Sequence, residues 1–369
     1  MIRTLVVVGT GLIGTSVALA AARRGVTVYL SDRDESAART AEVLGAGHVG
    51  LPPGPVDLAV LAVPPSQIAP VLAEQQSRGL ARSYTDVASV KSGPEREILS
   101  SAPDPSRYVG GHPLAGRERS GPLAARADLF QDRAWVLTPS RLTSGTALDR
   151  ALDLIALCGA VPLVMQSELH DDVVALTSHV PHVVASLMAA RLQNGPAETS
   201  QLAGQGLRDV TRIAGGDPRL WSDIFQANAA AVARILTDLQ EDLSSILIAL
   251  NDLAEPDRRR GTQSMRTVVD LLDRGIAGLG EVPARAARSA HVHVLIAGRP
   301  GELSRLLSAT ADLEVGPEDA AIRPAPGERG DLLVSLAVTP LNAGPLVSKL
   351  SSEGWNTGQP NVPSPQSNA

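Results

Sequence analysis

The sequence predicts an α/β protein with a doubly wound sheet at its N-terminal end, helices in the middle and a small α/β module at its C-terminal end. Up to about residue 163, short continuous apolar runs alternate with helical patterns, which is typical of parallel strands covered by helices on both faces. From Glu168 the apolar residues recur at helical spacing, and near Val292 a two-residue period returns. We therefore predict domains over residues 1–165, 166–285 and 288–356, followed by a disordered tail over residues 357–369.

The composition is that of a globular protein and argues against several kinds of partner. Of the 369 residues, 44% are hydrophobic and 20% are charged, and the formal net charge is −6. That charge, without a basic block interleaved with aromatic residues, argues against a nucleic-acid partner. We find no apolar run of the roughly 18 residues that a membrane span requires, and no signal peptide before the first predicted strand. The single cysteine, Cys158, excludes an internal disulfide, so we expect a cytoplasmic protein without a membrane partner.

Seven apolar runs are the predicted strands of the first sheet. They cover Leu5–Val8, Val26–Leu30, Leu58–Val63, Ser83–Val87, Tyr108–Gly110, Trp135–Leu137 and Val161–Val164. Helices are predicted beyond this sheet over Glu168–Arg191, Leu220–Leu250 and Arg266–Leu279. Long helices with little sheet beside them usually pack against another surface, and a second copy of the chain is the natural candidate, so we expect a homodimer.

The C-terminal module is predicted from the order of its elements. After the strand pattern near Val292 come a turn and a helix over Gly298–Leu307, and then strand-like runs at Leu313–Val315 and Leu332–Val338. A helix over Ala343–Ser351 completes the pattern. This order is close to that of a ferredoxin-like βαββαβ domain.

A glycine-rich turn near the N-terminus predicts a Rossmann-type dinucleotide site. Gly9, Gly11 and Gly14 follow a strand and open a helix, where they permit the tight turn, the approach of a pyrophosphate and the packing of helix on strand. The next strand ends at Asp32, whose carboxylate suits a ribose 2′-hydroxyl and favours NAD, whereas Arg33 could tolerate the 2′-phosphate of NADP. The alternative is a plain glycine-rich turn with a solvated aspartate. The predicted NAD-binding residues are Gly9, Gly11, Leu12, Ile13, Gly14, Asp32, Arg33 and Val63.

A second motif supplies a proton acceptor. His112 lies in the segment 110–116, whose glycines and proline predict a tight loop. A dinucleotide site together with a loop histidine suggests hydride transfer coupled to proton transfer from an alcohol. Ser89 and Lys91 follow a predicted strand at its carboxyl end, where open α/β sheets bind ligands. Ser89 could hydrogen-bond at the reacting carbon, or the segment could be an ordinary strand-to-helix turn.

Two further polar groups fall in the predicted helical region. His179 and His182 lie three residues apart on one helical face, but no third ligand pattern accompanies them, so we predict no metal. Hydrogen bonding between helices or contact with an anionic substrate is favoured instead. Arg208 and Arg212 lie in a glycine-flanked turn, where an arginine suits bidentate binding of a carboxylate and a surface ion pair is the alternative.

Taken in order, six motifs resemble those of the prephenate dehydrogenase family, the tyrosine-branch enzymes of aromatic amino-acid biosynthesis. The motifs are GTGLIG, DVASVKSG, GGHPLAGRERSG, TSHVPH, RDVTRIA and DPRLW, and the resemblance covers roughly residues 3–280. It implies that His112 accepts the proton of the substrate's ring hydroxyl, that Ser89 positions that hydroxyl and the histidine, and that Arg212 binds a substrate carboxylate.

The same resemblance implies further substrate contacts. His182 and Trp221 would line the pocket, and Glu118 and Arg117 would follow the histidine motif, although Arg117 stands where the family often has threonine. The segment over about 290–355 resembles an ACT domain, chiefly through GRPGELSRLL. That likeness implies regulation by an amino-acid effector, of which tyrosine is the first choice.

The activity that the resemblance implies is the NAD-dependent oxidative decarboxylation of prephenate to 4-hydroxyphenylpyruvate. Arogenate and 4-amino-4-deoxyprephenate stay open as substrates, because they differ from prephenate only at peripheral groups. A non-catalytic sensor of a dinucleotide and an amino acid is an alternative of a different class. A general 3-hydroxyacid dehydrogenase is another, but its usual catalytic lysine on the interdomain helix is not evident in the sequence.

Overall fold

The computed structural model describes residues 2–115, 121–196, 199–254, 258–281, 290–297, 302–310, 315, 320–325, 332–338 and 340–357. The chain divides into two compact units, Met1–Leu243 and Ser244–Ala369, and we describe each by itself. The first unit contains the glycine-rich turn and both predicted catalytic residues.

An eight-stranded sheet forms the centre of the first unit. Its strands are β1 Thr4–Val8, β2 Thr27–Ser31, β3 His48–Val49, β4 Val56–Leu61, β5 Ala81–Asp86, β6 Tyr108–Pro113, β7 Ala134–Thr138 and β8 Val161–Val164. The spatial order is β3-β2-β1-β4-β5-β6-β7-β8, and neighbouring strands from β3 to β6 are parallel. All seven predicted strands are present. The additional strand β3 is too short to show a period in the sequence.

The prediction of a parallel sheet is wrong at its far end. Strand β7 is antiparallel to β6, and β8 then runs parallel to β7. Parallel neighbours need a crossover connection, usually a helix, and the described residues between β6 and β7 contain only the 3₁₀ turn Pro122–Ala124. Strand β8 also differs from the prediction of burial on both faces, since it is an edge strand whose four residues are all exposed.

Five helices cover the two faces of the sheet. They are α1 Leu12–Arg23, α2 Glu35–Val43, α3 Ile68–Ser77, α4 Ser92–Ser101 and α5 Gly145–Leu157. Alternate residues of β1 belong to different cores: Leu5 and Val7 cluster with Leu154 of α5, whereas Val6 clusters with Ile68 of α3. Because both faces are buried, continuous apolar runs mark these strands in the sequence.

The rest of the first unit is helical. Its helices are α6 Ser167–Val174, α7 Val180–Leu192, α8 Thr199–Leu202, α9 Gln205–Thr211, α10 Pro218–Ala227 and α11 Ala229–Ala254, the last of which continues into the second unit. A π-helical turn, Ala175–His179, joins α6 to α7. The helix predicted over Glu168–Arg191 is therefore present without interruption.

The helix predicted over Leu220–Leu250 is interrupted at Asn228. Helix α10 ends one residue before it and α11 begins one residue after it. Asn228 has φ −121° and ψ 26°, and its side-chain amide donates to the main-chain oxygen of Asp171 at 2.8 Å. Asparagine leaves the helical conformation readily, and the spacing of apolar residues cannot reveal a tertiary hydrogen bond of this kind.

One helix meets the length and hydropathy criteria for a membrane span, contrary to the prediction. It is Ser167–Leu192, a helix of 26 residues whose most apolar 18-residue window has a mean hydropathy of 1.5 and is 33% buried inside the protein. Uncharged polar residues such as Thr177 and Ser178 interrupt the apolar sequence of this helix, so it contains no unbroken apolar run. The criteria concern length and composition alone, and a core helix of a soluble protein meets them too.

The second unit contains helix α12 and a four-stranded antiparallel sheet. Its elements are α12 Arg258–Glu281, β9 Ala290–Ile296, α13 Glu302–Thr310, β10 Ala320–Pro324, β11 Leu332–Val338, α14 Pro340–Ser352 and β12 Asn356–Thr357. The strand order is β10-β11-β9-β12. Alternate residues of β9, Val292 and Val294, form a core with Leu306 of α13 and Leu346 of α14. Helix α12 includes the predicted helix over residues 266–279.

The βαββαβ order of this small sheet is present, with one strand displaced. The second strand is Ala320–Pro324, whereas the sequence suggested Leu313–Val315, of which only Val315 is described. The sequence AAIRP contains a single β-branched residue, so its strand propensity is weak. Strand β12 ends at Thr357, the residue at which the predicted tail begins. Gly301 and residues 358–369 lie outside the described residues.

Candidate active site

The turn between β1 and α1 has the shape of a dinucleotide cradle. Gly9 has φ 100°, a conformation that favours glycine, and a Cβ there would overlap the carbonyl oxygen of Ala62. A Cβ on Gly14 would overlap the carbonyl oxygen of Gly9 and lie 2.9 Å from the Cβ of Ala62. A Cβ on Gly11 would meet no described atom within 4 Å beyond its chain neighbours. The cradle is therefore packed at its first and third glycines and open at its second.

The N-terminus of α1 fits an anion. Every residue of α1 is described; Gly11 is its N-cap, no side chain caps its free N–H groups, and its first turn holds no acidic residue. Leu12 and Ile13 are the first two residues of this turn. Uncapped N–H groups at a helix N-terminus attract negative charge. The predicted pyrophosphate of a dinucleotide is such a group, so these residues fit it.

Asp32 lies directly after β2, beside the glycine turn. Its Oδ2 accepts hydrogen bonds from the nitrogen and the hydroxyl of Thr10 at 2.5 and 2.9 Å, and its Oδ1 accepts from the nitrogen of Asp34 at 2.9 Å. These bonds fix the carboxylate and leave lone pairs for a ribose hydroxyl. Arg33 is exposed on the same turn, and Val63 is half-buried just after β4, the neighbour of β1.

His112 lies in strand β6, so the prediction of a loop is wrong. It is half-buried and pairs in register with β7. The glycines before it allow close packing rather than a turn. A Cβ on Gly110 would overlap the hydroxyl of Thr138, and one on Gly111 would lie 2.6 Å from the carbonyl oxygen of Asp86.

His112 ends a hydrogen-bonded chain that sequence analysis missed. Its Nδ1 lies 2.8 Å from Nε2 of His170, and Nδ1 of His170 lies 2.8 Å from Oδ1 of Asp171. Both partners lie on α6 and are buried, with exposures of 1% and 3%. Since 58 residues separate His112 from His170, no local spacing in the sequence indicates this contact.

Asp171 also fixes the segment that carries Ser89. Its carboxylate accepts hydrogen bonds from the nitrogens of Lys91 and Ser92, both at 2.8 Å, and from the hydroxyl of Ser92 at 2.5 Å. It thereby caps the N-terminus of α4 from outside the helix. Ser89 is half-buried two residues before this anchor. One carboxylate therefore holds both predicted catalytic positions, His112 through His170 and Ser89 through α4.

Lys91 is a buried cation beside His112. Its exposure is 2%, and its ammonium group donates to Asp86 and, at 2.7 Å, to the carbonyl oxygen of Gly111. Asp86 also accepts from the hydroxyl of Tyr108. Burial lowers the pKa of Lys91, although Asp86 opposes the shift. The cluster ties β5, β6 and the Ser89 segment together.

The surroundings keep His112 uncharged. Burial is the main reason that its pKa lies well below the usual value for histidine, and His170, Lys91 and His179 lower it further. In Asp171, burial raises the pKa, but hydrogen bonds from His170, Ser92 and Lys91 outweigh burial and lower it. A neutral imidazole linked to an ionised carboxylate is a charge state that suits a proton acceptor.

The other predicted substrate residues lie together on the helices. His182 and Trp221 stack with ring centroids 3.6 Å apart and 10° between the ring planes. The 3₁₀ turn that Arg212 opens packs on α7, where the main chain of Ile213 hydrogen-bonds to His182. A Cβ on Gly216 would overlap the indole of Trp221, so glycine makes room for the stack. A cavity of about 570 Å³, lined mainly by apolar side chains, opens beside it.

Asn228 connects this stack to the histidine chain. Its amide nitrogen donates to the main-chain oxygen of Asp171 and lies 3.2 Å from Nδ1 of His179. The ring of His179 meets Trp221 edge-on, with centroids 6.0 Å apart. Burial lowers the pKa of His179 to about 4 and also lowers that of His182. The two histidines considered as metal ligands thus have other partners.

Two further predictions concern a pair of substrate contacts and the binding of a metal ion. Arg117 and Glu118, predicted to contact the substrate, lie outside the described residues. Among the residues that the structure describes, no group of three or more His, Cys, Asp or Glu side chains could hold a metal ion.

This site combines an open glycine cradle on a doubly wound sheet with a neutral histidine on one of its strands. The combination defines a dinucleotide-dependent dehydrogenase. Comparison with known proteins identifies the family. Residues 17–164 match the nucleotide-binding domain of prephenate dehydrogenase, and residues 166–261 match its dimerization domain. The chain belongs to the prephenate dehydrogenase family, an oxidoreductase family. The resemblance read from the six motifs is confirmed, and the sensor alternative is not supported.

Individual relatives agree with this assignment. The chain is 42% identical over 359 residues to the probable prephenate dehydrogenase NovF of Streptomyces niveus, a match that covers 96% of this chain and 99% of NovF. It is 32% identical to a cyclohexadienyl dehydrogenase of Zymomonas mobilis, over 67% of this chain and 88% of that protein. Its fold is similar to that of prephenate dehydrogenase from A. aeolicus in complex with hydroxyphenyl propionate and NAD+. That comparison has a TM-score of 0.65 and 26% identity, over 76% of this chain and 98% of the A. aeolicus chain.

Proposed function

We propose that this chain catalyses the NAD-dependent oxidative decarboxylation of prephenate to 4-hydroxyphenylpyruvate. One observation carries the proposal: the neutral His112 lies near the carboxyl end of β6, at the same sheet edge as the glycine cradle after β1. Open α/β sheets bind their ligands at this edge. The family membership and the relative NovF support prephenate as the substrate.

The reaction makes separate demands on the protein's residues. Bound NAD supplies a hydride acceptor for the ring carbon that carries the hydroxyl, and loss of carbon dioxide then makes the ring aromatic. His112 accepts the proton of this hydroxyl, and Ser89 orients it. Arg212 binds a substrate carboxylate as a bidentate partner, while His182 and Trp221 provide a flat wall of the pocket.

The cofactor is held by the N-terminal cradle. Gly11 leaves the space for the pyrophosphate, and the N–H groups at Leu12 and Ile13 stabilise its charge. Asp32 binds the ribose and favours NAD over NADP. Gly9 and Gly14 shape the turn, and Arg33 and Val63 flank it. Arg117 and Glu118 are proposed as substrate contacts from the motif alone.

The test is formation of NADH by the purified protein with prephenate and with arogenate in parallel. We expect the larger kcat/KM with prephenate. A larger value with arogenate would overturn the choice of substrate. We include arogenate because the Zymomonas mobilis relative is named for the wider cyclohexadienyl class. No NADH from either compound would overturn the dehydrogenase function. His112→Asn serves as the inactive control.

The chain is proposed to work as a homodimer in the cytoplasm. The family's second domain is a dimerization domain, and in the single chain the helix over residues 167–192 exposes large apolar side chains, among them Leu176, Leu187 and Met188. Such a surface is usually covered by another protein surface. Sedimentation at several concentrations tests the dimer, and a monomer at all of them would exclude it.

The C-terminal module, residues 288–356, is proposed to be an ACT-like regulatory domain with tyrosine as the effector. The other two domains are proposed to cover residues 1–165 and 166–285. The βαββαβ order of the module and the strand order β10-β11-β9-β12 support this assignment. Regulation requires that the effector bind two states of the enzyme differently. Deletion after Ala287 should leave activity and remove inhibition by tyrosine. A truncated enzyme that is folded, active and equally sensitive to tyrosine would contradict the proposal.

A further inference from the structure

If His112 and His170 are both neutral, the buried chain from His112 through His170 to Asp171 allows one assignment of protons. The ionised carboxylate of Asp171 only accepts hydrogen bonds, so Nδ1 of His170, 2.8 Å from Oδ1, donates to it. In neutral His170, Nε2 then carries the lone pair and accepts from Nδ1 of His112, also at 2.8 Å. The remaining nitrogen of His112, Nε2, is therefore the one with a free lone pair.

A proton taken up by His112 would be poorly stabilised if it stayed there. The ammonium group of Lys91 donates to the carbonyl oxygen of Gly111, the residue directly before His112. Charge–charge interactions are strong in a buried site because little water screens them. His170, by contrast, lies directly against the carboxylate of Asp171. The structure thus places a carboxylate against His170 and an ammonium group beside the residue that precedes His112.

We propose that His170 and Asp171 form a proton relay behind His112, so that the proton released by the substrate hydroxyl is balanced by a cation on His170. This inference rests on the proposed dehydrogenase function and adds two residues that act through His112. His170 and Asp171 touch neither substrate nor cofactor in this scheme, and they are positioning residues.

The relay moves two protons and no electrons of its own. The substrate O–H bond breaks as an N–H bond forms at Nε2 of His112. The N–H bond at Nδ1 of His112 breaks as one forms at Nε2 of His170. His112 ends neutral in its other tautomer, and His170 ends as an imidazolium paired with Asp171. The hydride takes no part in the relay, and bound NAD would accept it, as in the proposed function.

Titratable groups on several packed elements surround the relay. They include Lys91 before α4, Glu95 on α4, Asp86 on β5, Tyr108 and His112 on β6, and Asp171, His179 and His182 on the long helix over residues 167–192. Asp171 is the carboxylate that hydrogen-bonds to His170, whereas Asp86 is paired with Lys91. A change of pH profile on substitution of His170 therefore reports on the pair with Asp171.

The first experiment determines tautomers without using activity. Two-dimensional NMR of the ¹⁵N-histidine-labelled full-length protein distinguishes the protonated ring nitrogen of each of the seven histidines. His112→Asn and His170→Gln identify the two signals. We expect His112 and His170 both to carry their proton on Nδ1 at neutral pH. A proton on Nε2 of His112, or a charged His112, would overturn the relay even if the wild-type enzyme oxidises prephenate.

The second experiment uses His170→Gln. The amide oxygen of glutamine can still accept from Nδ1 of His112, so the tautomer is kept, but glutamine cannot take up the proton. We expect kcat to fall about 10- to 100-fold with the KM for NAD unchanged. The acid limb of kcat/KM should move to lower pH, because His112 alone is a weaker base than the pair. An unchanged limb with wild-type kcat would overturn the relay.

Asp171→Asn and a control complete the design. Asparagine removes the negative charge that stabilises a cation on His170, so the acid limb should again move to lower pH. Because this variant also weakens the cap of α4, its unfolding temperature is measured beside its pH profile, and the shift of the limb is the criterion. His48 is exposed, so the control variant His48→Gln should leave the acid limb and the unfolding temperature unchanged. If the wild-type enzyme forms no NADH while the NMR result is as expected, the proposed function fails and the relay geometry stands.

Discussion

The ammonium nitrogen of Lys91 lies 2.7 Å from the carbonyl oxygen of Gly111, so a buried cation is fixed one residue before His112. Burial is the main reason that the pKa of His112 lies well below the ordinary value, and His170 and this cation lower it further. His112 is thus neutral over the physiological range, and a neutral imidazole is the form that can accept a proton.

His112→Asn should therefore lower kcat by about 10²–10⁴-fold, the usual effect of losing a general base. NAD binding should stay nearly intact, because the cradle lies on other elements, at the β1–α1 turn. Steady-state rates with prephenate measure the fall in kcat. Protein fluorescence during titration with NAD measures the affinity for the cofactor. Near-normal turnover would remove His112 from the mechanism.

Two glycines of the cradle, Gly11 and Gly14, should respond differently to alanine. In Gly14→Ala the new methyl would overlap the carbonyl oxygen of Gly9, and overpacking of this kind costs about 1–3 kcal/mol of stability. Gly11→Ala meets no described atom within 4 Å, so its unfolding temperature should be close to that of the wild type. Its added methyl occupies the space for the pyrophosphate, so its KM for NAD should rise. If Gly11→Ala and Gly14→Ala had the same unfolding temperature and the same KM for NAD, these separate roles of the two glycines would be wrong.

Asp32→Ser should lower kcat/KM for NAD and raise it for NADP, because the variant lacks the carboxylate that suits a ribose hydroxyl and repels a 2′-phosphate. The ratio of kcat/KM for the two cofactors measures the change. Thr10→Val is the matched control, since it removes the hydroxyl that donates to Asp32 at 2.9 Å and keeps the carboxylate. If the wild-type enzyme already used NADP as well as NAD, this role of Asp32 would be wrong.

Arg212→Ala should raise the KM for prephenate about ten- to more than a hundredfold, since a hydrogen bond to a charged group contributes about 1.5–3 kcal/mol. Arg212→Lys keeps the charge but loses the planar fork of donors, so it should restore the KM only in part. Arg208→Ala, on α9 in the same region, is the control and should leave the KM unchanged. An unchanged KM in Arg212→Ala would exclude this arginine from the substrate site.

Much of the site was predictable because its motifs are local. The strand, glycines and helix of the cradle are consecutive in sequence, and their spacing alone predicts the packing seen at Gly9 and Gly14. Gly110 and Gly111 were harder to interpret, since glycine also serves close packing between strands. The sequence cannot show that Thr138 and the backbone of Asp86 occupy the space where side chains would be.

The parts that sequence analysis missed depend on tertiary contacts. His170 and Asp171 form an ordinary dipeptide at the start of an apolar helix, and only the approach of α6 to β6 gives them a role. Asn228 likewise interrupts a regular apolar pattern to bond Asp171. These residues carry no local spacing signal, because their partners lie more than fifty residues away, at separations of 58 and 57.

Stability should fall as the pH is lowered from about 6.5 to about 4, chiefly because of buried histidines. Burial lowers the pKa of His179 to about 4 in the folded protein, whereas an unfolded histidine has a pKa of about 6.5. Between these values the unfolded chain binds a proton that the folded chain does not, so the free energy of unfolding decreases with falling pH. The shift corresponds to about 3 kcal/mol once the pH is below the folded pKa. The carboxylates with lowered pKa, such as Asp57, lose their contribution only below their ordinary value of 3.8 and so act at lower pH.

His179→Gln isolates this contribution, because glutamine keeps a hydrogen-bonding group next to Asn228 and does not titrate. Urea unfolding at a series of pH values should show a flatter dependence between pH 6.5 and 4 in this variant than in the wild type. Part of the slope should remain, since His112 is also held neutral by burial. His48→Gln removes an exposed histidine and should keep the full wild-type slope. An unchanged slope in His179→Gln would show that the folded and unfolded states protonate this histidine over the same range of pH.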